Sequence, residues 1–403
     1  MGNALDGVKV IEFSNAYVGP VTSKQLGDYG ATVIRVESPL RPDPARTSQP
    51  YKDNKPGLNR GGYYAYYSGN KYGMALDLNN KKGMEVLKRL LRWADVVIEN
   101  FRPGVMEKWN LGYEQIKRIN PGIVMLRTSN QGQTGPYSSM RGVGNGLNGL
   151  TGLVHLTGWP DRPPSVMMLA YSDYLVPFLG AMAIIAALDY RRRTGKGQLV
   201  DMAQFEAGLQ FVLPPILEYT VNGRETQRMG NASHCAAPHG AYRCKGEDRW
   251  CAIAVFDEEK WQILCRLMGN PSWTQEDRFR SFPDRKKNEA DLNHLVESWT
   301  VNYDPEELMS LLQKAGIPAG VVKTPRDIFV DPQLRHRNFF WQMDHPEMGP
   351  FHHLGQSSVL SKTPAQGRMP APCLGEHTEF ICSKFLQISE EEFVELLSDG
   401  AFG

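Results

Sequence analysis

One acidic residue stands where a covalent nucleophile could act. Asp173 lies at the junction between a Gly- and Pro-rich loop and an apolar stretch, residues 174–188, that predicts a helix. The dipole and the free N–H groups of a helix N-terminus stabilise a charged carboxylate, which would keep Asp173 ionised at neutral pH. Position alone makes Asp173 a helix cap, so a catalytic role depends on the residues that accompany it.

Polar residues that could hold a ligand flank two predicted strands. Lys71 precedes the strand predicted at residues 74–78, and Asn100 and Arg102 follow the strand predicted at residues 96–99. Ligands of open α/β sheets bind at the ends of the strands. We therefore expect these three side chains at strand ends of one sheet.

Several common functional motifs do not occur in the sequence. The turn at residues 14–20 lacks the G-x-G-x-x-G of a dinucleotide site, and residues 194–197 lack the spacing of a phosphate-binding loop. Neither G-x-S-x-G nor H-E-x-x-H is present. The His and Cys residues between positions 234 and 244 match no common zinc spacing, so no metal site is predicted.

The elements that must position these residues alternate between strand and helix. Strands are predicted at residues 8–13, 31–36, 74–78, 96–99, 123–128 and 198–202, and helices at residues 21–29, 82–93, 113–120, 174–188 and 204–217. Successive βαβ units require parallel strands, so the fold class is α/β with an open, doubly wound sheet. The Gly- and Ser-rich residues 129–152 predict a long loop, and residues 191–197 a basic turn.

The chain has 403 residues, more than one hydrophobic core usually organises. We predict that residues 1–222 form the first part of a large domain and residues 223–316 a small α+β domain. Residues 317–403 should return to the large domain. The small domain rests on a strand at residues 251–256 and helices at 258–268, 291–299 and 305–315, and a final helix is predicted at 389–397.

Composition excludes some partners and suggests a compartment. Lys and Arg number 45 and Asp and Glu 44, so no net field draws the chain to nucleic acid or to an anionic membrane. Six cysteines without a C-x-x-C pair predict reduced thiols, and residues 1–9 show no signal peptide pattern. These features predict a cytoplasmic location. The stretch 174–188 is too short to span about 30 Å of hydrocarbon and predicts a buried helix.

Five segments, in this order along the chain, closely resemble the family III CoA-transferases, the group that contains formyl-CoA transferase. They are Asn70-Lys71, ADVVIENFRPG at 94–104, QGQTGPY at 131–137, RRTGKGQ at 192–198 and PAPCLGEHT at 370–378. The resemblance runs from about residue 7 to residue 378 and is more specific than any one motif.

The resemblance implies a Rossmann-like large domain, a small domain, and two chains interlocked as linked rings. It implies that Asp173 is the nucleophile and that Tyr17 and Val18 flank the reacting carbonyl. Coenzyme A would lie along Lys71, Asn100, Phe101, Arg102, Met106 and Arg141. CoA thioesters would be substrates, with no permanently bound cofactor, and the chain would form a homodimer or pair with a related subunit.

The sequence departs from relatives of this family in two places. After residues 229–232 the best-known members continue with glycines, whereas this chain has Ser233, His234 and Cys235, a bulkier segment predicted to form the lid over the substrate. Related acyl-CoA racemases carry Gly-His-Asp in the loop after Gly-Pro, and residues 141–145 here read RGVGN. A racemase is therefore disfavoured, because the general base is missing. Asp173 similarly argues against a purely CoA-binding subunit of a heteromeric transferase.

The acids that are exchanged remain open at this point. Tyr17, Met167, Met168, Tyr171 and Tyr174 cluster in sequence near the expected site, although they equally suit a core. Aromatic and Met side chains would accommodate a large acid better than formate or oxalate. We predict succinyl-CoA as the donor and an aromatic or aryl-dicarboxylic acid as the acceptor.

Overall fold

The computed structural model describes residues 2–142 and 144–403. The chain divides into two compact units. The first comprises Met1–Leu153, Val166–Arg224 and Gln333–Gly403, and the second comprises Val154–Ser165 and Glu225–Pro332. The domain boundaries expected after residues 222 and 316 stay a prediction.

A six-stranded parallel sheet lies at the centre of the first unit. Its strands are β1 (Lys9–Phe13), β2 (Thr32–Glu37), β3 (Tyr72–Ala75), β4 (Val96–Glu99), β5 (Val124–Ser129) and β6 (Leu199–Ala203). Strands β1 to β5 are largely buried, as parallel strands covered by helices on both faces must be. The order β3-β2-β1-β4-β5-β6, with all neighbours parallel, is the Rossmann order and confirms the predicted α/β class.

Helices connect the strands and continue through the second unit. In chain order they are α1 (Val18–Asp28), α2 (Gly62–Tyr67), α3 (Lys81–Trp93), α4 (Val105–Lys108), α5 (Tyr113–Ile119), α6 (Gly144–Leu150), α7 (Leu153–Leu156), α8 (Tyr171–Thr194), α9 (Gln204–Leu209), α10 (Leu213–Asn222), α11 (Glu258–Leu267), α12 (Asp277–Arg280), α13 (Phe282–Lys287), α14 (Glu289–Thr300), α15 (Pro305–Lys314), α16 (Pro325–Phe329), α17 (Pro332–His336), α18 (Thr378–Phe380) and α19 (Glu390–Ser398).

Both faces of the parallel sheet carry a hydrophobic core. On one face Leu90 of α3 packs in the same cluster as Val97 of β4 and, from far along the chain, Leu396 of α19 and Phe402. On the other face Ile184 of α8 belongs to a cluster with residues of β1, β4 and β5. The sheet is therefore doubly wound, and the last residues of the chain complete one of its cores.

Antiparallel strands form two smaller sheets. In the second unit β7 (His239–Arg243), β8 (Trp250–Ala254) and β9 (Ala319–Val321) pair antiparallel, and Trp261, Val296 and Leu308 from three helices pack in its core. In the first unit β10 (Phe340–His345) and β11 (Gly349–Leu354) form a hairpin.

Several predicted elements differ from the observed ones. The Gly- and Ser-rich stretch 129–152, predicted to be a loop, contains α6, because burial of Leu147 and Asn148 outweighs the poor helix propensity of its glycines. The helix predicted at residues 204–217 breaks at a 3₁₀ turn, Gln210–Val212, and restarts as α10. Pro214 and Pro215 lack N–H groups and occupy the first turn of α10, where none is needed.

Helix α8 is longer than the predicted 15-residue stretch, and the expected basic turn after it is helical up to Thr194. Its 24 residues are long and apolar enough to span a membrane by length and composition, contrary to the sequence prediction. Such a helix indicates a membrane span only weakly, because core helices of soluble proteins pass the same test. Only one side of α8 is buried: Val176 and Ile184 lie in the interior, whereas Met182 is 65% exposed.

Candidate active site

Asp173 is the third residue of α8 rather than its cap, which is Ala170. Burial raises the pKa of Asp173 to about 6. The surrounding protein therefore disfavours the charged carboxylate more than the helix N-terminus favours it, opposite to the direction expected from the sequence. The group nevertheless remains mainly ionised at neutral pH, as a nucleophile requires.

The carboxyl group of Asp173 lies against the start of α6. A Cβ atom built on Gly144 would come within 2.2 Å of Asp173 Oδ2 and 2.3 Å of the Cβ of Ala170. No side chain larger than hydrogen fits there without movement, so Gly144 permits a close approach between the two helices. This contact could not be predicted from the sequence, because the Gly-rich residues of α6 are typical of a loop.

Tyrosine side chains surround the position next to Asp173. The ring of Tyr17 lies 4.3 Å from the rings of Tyr67 and Tyr174, and the rings of Tyr63 and Tyr66 lie 5.7 and 5.5 Å from that of Tyr67. Burial raises the pKa of Tyr66 to about 12 and that of Tyr67 further, so these phenols are neutral donors. The four tyrosines of α2, in the sequence GYYAYY, were a sequence signal for an aromatic cluster, and it was not used in the prediction.

Tyr17 and Val18 lie at the turn between β1 and α1. Asn15 N–H donates to Asn100 Oδ1 at 2.9 Å, and Asn100 Nδ2 donates to the Asn15 carbonyl at 2.8 Å. Tyr17 is the N-cap residue of α1 and Val18 its first residue. The structure thus joins this turn to the end of β4 and places the Tyr17 ring on that of Tyr174, the neighbour of Asp173.

Four of the residues predicted to bind coenzyme A line one cavity of about 310 Å³. Asn100, Phe101, Arg102 and Arg141 share it with Ser129, Asn130, Gln204 and others. The cavity opens at the carboxyl ends of β4 and β5, where open α/β sheets bind ligands. Ser129 Oγ is buried without a hydrogen-bond partner among the described residues. Ser129 and Gln204 were missed, although Ser129 directly follows the strand predicted at residues 123–128 and Gln204 begins the helix predicted at residues 204–217.

A second cavity, of about 560 Å³, lies beside the first. It is lined by the turn after β1, by residues that follow β2 and β3, and by Phe101 and Trp109. The rings of Phe101 and Trp109 meet edge to face at 5.5 Å. Phe101 borders both cavities, so the two form neighbouring compartments along one edge of the sheet.

Lys71 and Met106 line neither of these two cavities. Lys71 is fully buried, and its ammonium group donates to Glu12 Oε2 and to the Pro20 carbonyl, both at 2.7 Å. Met106 is fully buried in the core beneath the sheet. Their predicted contacts with coenzyme A stay a prediction.

The predicted lid residues lie in the second unit. His234 and Cys235 are exposed, and Ser233 Oγ lies 3.4 Å from Cys235 Sγ. Among residues 2–142 and 144–403, no group of His, Cys, Asp or Glu is arranged to hold a metal. The lid role of this segment stays a prediction.

The Rossmann-type sheet and the cavities at the carboxyl ends of its strands are typical of α/β proteins that bind ligands at those strand ends. Comparison with known proteins then gives the family. Residues 5–378 match CoA-transferase family III, and the chain belongs to that family and is a CoA-transferase.

Individual relatives cover nearly the whole chain. Succinyl-CoA:D-citramalate CoA-transferase of Chloroflexus aurantiacus is 32% identical over 97% of this chain and 96% of its own length. The alpha subunit of succinyl-CoA:L-malate CoA-transferase, also from Chloroflexus aurantiacus, is 30% identical over 98% of this chain and 91% of its own length. The crystal structure of a CAIB/BAIF family protein from Brucella suis covers 96% of this chain and 100% of that chain, with a TM-score of 0.87 and 32% identity. The fold is therefore that of family III.

Proposed function

We propose that this enzyme transfers coenzyme A between carboxylic acids through covalent intermediates on Asp173. The observation that carries the proposal is the half-hidden Asp173 carboxyl group, whose pKa is raised to about 6 and which is packed against Gly144 beside a tyrosine cluster. A desolvated carboxylate is a better nucleophile than a hydrated one, and a shielded site protects an anhydride from water.

The reaction balances without ATP, metal or redox chemistry. Asp173 attacks the donor thioester carbonyl, the C–S bond breaks, and CoA thiolate and an aspartyl anhydride form. The thiolate attacks the Asp173 carbonyl and releases the donor acid, which leaves an aspartyl-CoA thioester. The acceptor carboxylate then displaces the thiolate, which attacks the acceptor carbonyl of the new anhydride and regenerates Asp173.

Coenzyme A would occupy the two neighbouring cavities. Arg102 and Arg141 are exposed at the first cavity, and their guanidinium groups suit the phosphates of coenzyme A. The apolar rings of Phe101 and Trp109 in the second cavity suit the flat adenine base. Ser129 Oγ, which has no hydrogen-bond partner in the described part of the chain, could bond to the part of coenzyme A that links its phosphates to its thiol.

Succinyl-CoA is the donor that we propose, because the names of the relatives compared above specify it. The same names specify hydroxy-dicarboxylic acceptors, whereas the tyrosine rings near Asp173 favour an aryl-dicarboxylic acid. Both are dicarboxylic acids, and neutral phenol groups can donate to the carboxylate that does not react. We propose a dicarboxylic acceptor that this tyrosine cluster accommodates.

We further propose a cytoplasmic enzyme that works as an interlocked dimer. Six free cysteines, four of them buried, suit a reducing compartment. An exposed apolar face on α8 and α10 suits contact with a second chain. That chain is either a further copy of this protein or a related subunit, because one relative is named as an alpha subunit.

Trapping the covalent intermediate tests the proposed reaction. Purified enzyme is incubated with succinyl-CoA, treated with hydroxylamine or borohydride, and analysed by intact mass and peptide mapping. We expect a modification on Asp173 that the Asp173→Ala variant lacks. A panel of hydroxy-dicarboxylic, aryl-dicarboxylic and small acids, including formate and oxalate, then identifies the acceptor by CoA transfer.

Asp189→Ala is the matched control, because Asp189 lies on the same helix, exposed and ion-paired with Arg192 and Arg193. This variant should be modified like the native chain. Modification of the Asp173→Ala variant, or an unmodified native enzyme with every acyl-CoA tested, would contradict the proposal. A panel that supports turnover only of formate or oxalate would exclude the dicarboxylic acceptor.

A further inference from the structure

The turn that carries Tyr17 contains a backbone conformation that is unfavourable for its sequence. Ala16 has φ of 61°, in the left-handed region where a Cβ atom approaches a carbonyl oxygen. A non-glycine residue there costs roughly 1–2 kcal/mol and persists only where its surroundings enforce it. The contacts around Ala16 therefore indicate what enforces the turn.

Two side chains hold the backbone on either side of the strained residue. Asn100 accepts from the N–H and donates to the carbonyl of Asn15, which fixes the backbone on both sides of Asn15 to the end of β4. Asp43 accepts the Ala16 N–H with both carboxylate oxygens, at 3.0 and 3.1 Å. Three consecutive polar groups of the turn are thus fixed from two directions.

The Asp43 carboxylate is itself held in place from the interior of the sheet. Asp43 is 2% exposed, accepts the Ala45 N–H at 2.8 Å, and is ion-paired with Arg35. Arg35 is fully buried and also pairs with Glu12 and Glu37. Because a buried ion network has few alternative arrangements, the position of Asp43 relative to the sheet is well defined.

The turn has little room to relax elsewhere. A Cβ atom on Gly19, in the first turn of α1, would come within 2.3 Å of the Ser14 side chain, so the two ends of the turn are in close contact. Any displacement of Ala16 is therefore passed to Tyr17, whose ring packs on Tyr67 and Tyr174 beside Asp173.

We propose that Asp43, oriented by Arg35, is a positioning residue that sets the place of Tyr17 relative to Asp173. This inference rests on the proposed function. Asp43 lines neither of the two cavities at the carboxyl ends of the strands. Its role is to hold the Ala16 N–H group, so that the first turn of α1 and the Tyr17 ring keep their positions relative to the reacting carbonyl.

Two substitutions separate the charge of Asp43 from its geometry. Asp43→Glu keeps the ion pair with Arg35 but moves the carboxylate by one methylene group, and Asp43→Asn keeps the size but removes the charge. We expect either variant to lower kcat and the rate of Asp173 modification about 10- to 100-fold, because a small misplacement of reacting groups has effects of that order. The KM for succinyl-CoA should stay within about twofold, since the CoA cavities are untouched.

Asp28→Asn is the matched control, because Asp28 is equally buried, at the far end of α1, and ion-paired with Lys24 at 2.6 Å. This variant should lose thermal stability like Asp43→Asn but keep kcat within about twofold. If Asp43→Asn does not fold, Asp43→Glu decides the question alone.

The possible outcomes separate this inference from the proposed function. Folded Asp43 variants that modify Asp173 at the native rate would overturn the positioning role and leave the proposed reaction intact. A KM increase without a fall in kcat would overturn it as well. A native chain that is never modified at Asp173 would overturn the proposed function itself, and with it this inference.

Discussion

At the scale of single residues, Asp173 shows how two opposing effects decide the state of a catalytic group. A position in the first turn of a helix favours the charged carboxylate, and burial disfavours it. Burial prevails and raises the pKa of Asp173 to about 6. The sequence reveals the first effect, since it depends on local position, but not the second, since the desolvating atoms come from distant segments such as Gly144.

We expect Asp173→Asn to stabilise the protein at neutral pH. The pKa of Asp173 rises from 3.8 to about 6 on folding, so this group favours the folded state below pH 3.8 and loses that contribution as the pH rises through 6. Asn stays neutral and avoids the loss. The free energy of unfolding of the variant should exceed that of the native enzyme by about 1–3 kcal/mol at pH 7.5, and the two should converge near pH 4.

Urea denaturation at both pH values measures this difference. Asp189→Asn is the control, because Asp189 is exposed and its pKa is lowered by Arg192 and Arg193, so its removal should bring no gain at neutral pH. A stability difference between Asp173→Asn and the native chain that does not change with pH would show that desolvation of the carboxylate is not its cause.

The sequence predicts part of the candidate site. Asn100, Phe101, Arg102 and Arg141 follow from the resemblance to family III CoA-transferases, and the structure brings them to one cavity. The tyrosines of α2 could not be placed near α8 from the sequence, because Tyr67 packs on Tyr17, and Tyr17 on Tyr174, only in the folded chain. Lys71 was predicted to lie at a strand end, and the sequence did not indicate that a buried partner, Glu12, holds its ammonium group.

At the scale of secondary structure, α6 is the element that the sequence concealed. Three of its seven residues are glycines, which weaken an isolated helix, and only burial of Leu147 and Asn148 in the folded unit supports it. The six strands of the parallel sheet, in contrast, were predicted to within three residues at each end, because apolar runs that are buried on both faces leave a clear pattern. The short antiparallel strands β7, β9, β10 and β11 were not predicted.

Gly144→Ala should inactivate the enzyme while leaving it folded. The added methyl group would clash with the Asp173 carboxyl group and with the Cβ atom of Ala170, so α6 must shift away from the start of α8 and the carboxyl group must leave its native position. We expect kcat to fall about 100-fold, as for other misplaced catalytic groups, with a smaller effect on the KM for succinyl-CoA. Steady-state kinetics together with a thermal denaturation curve provides the check.

The same helix offers a control. Gly146→Ala adds a methyl group where no atom lies within 4 Å, so it should stabilise the protein by about 0.5–1 kcal/mol and leave kcat unchanged. Equal activity of the two variants would show that the approach of Gly144 to Asp173 is not needed for catalysis.

At the scale of the whole molecule, the first unit leaves an apolar surface uncovered. Phe178, Met182 and Ile185 follow each other along one face of α8 and are 46%, 65% and 47% exposed, and Leu217 and Val221 of α10 are similarly exposed. Isolated soluble chains rarely leave such surfaces to water. The sequence predicted a buried helix at residues 174–188, because apolar composition does not distinguish a buried interior from an interface.

Light scattering should give a mass twice the 45.3 kDa of one chain. If the two chains are interlocked, a mixture of tagged and untagged enzyme should form no mixed dimers under native conditions, and should form them after unfolding and refolding together. A monomeric mass would contradict the dimer. Rapid exchange of tagged and untagged chains would contradict interlocking but not dimer formation.

The division of the first unit among three stretches of sequence also affects how the protein is made. Glu225–Pro332 supplies most of the second unit as one continuous stretch, so its core can assemble while the ribosome is still translating the C-terminal residues. The parallel sheet must wait, because Ile381, Leu396 and Phe402 are needed to cover one of its faces. The strands synthesised first therefore stay incompletely covered longest, and a nascent chain stalled before residue 381 would present that bare face to chaperones and proteases.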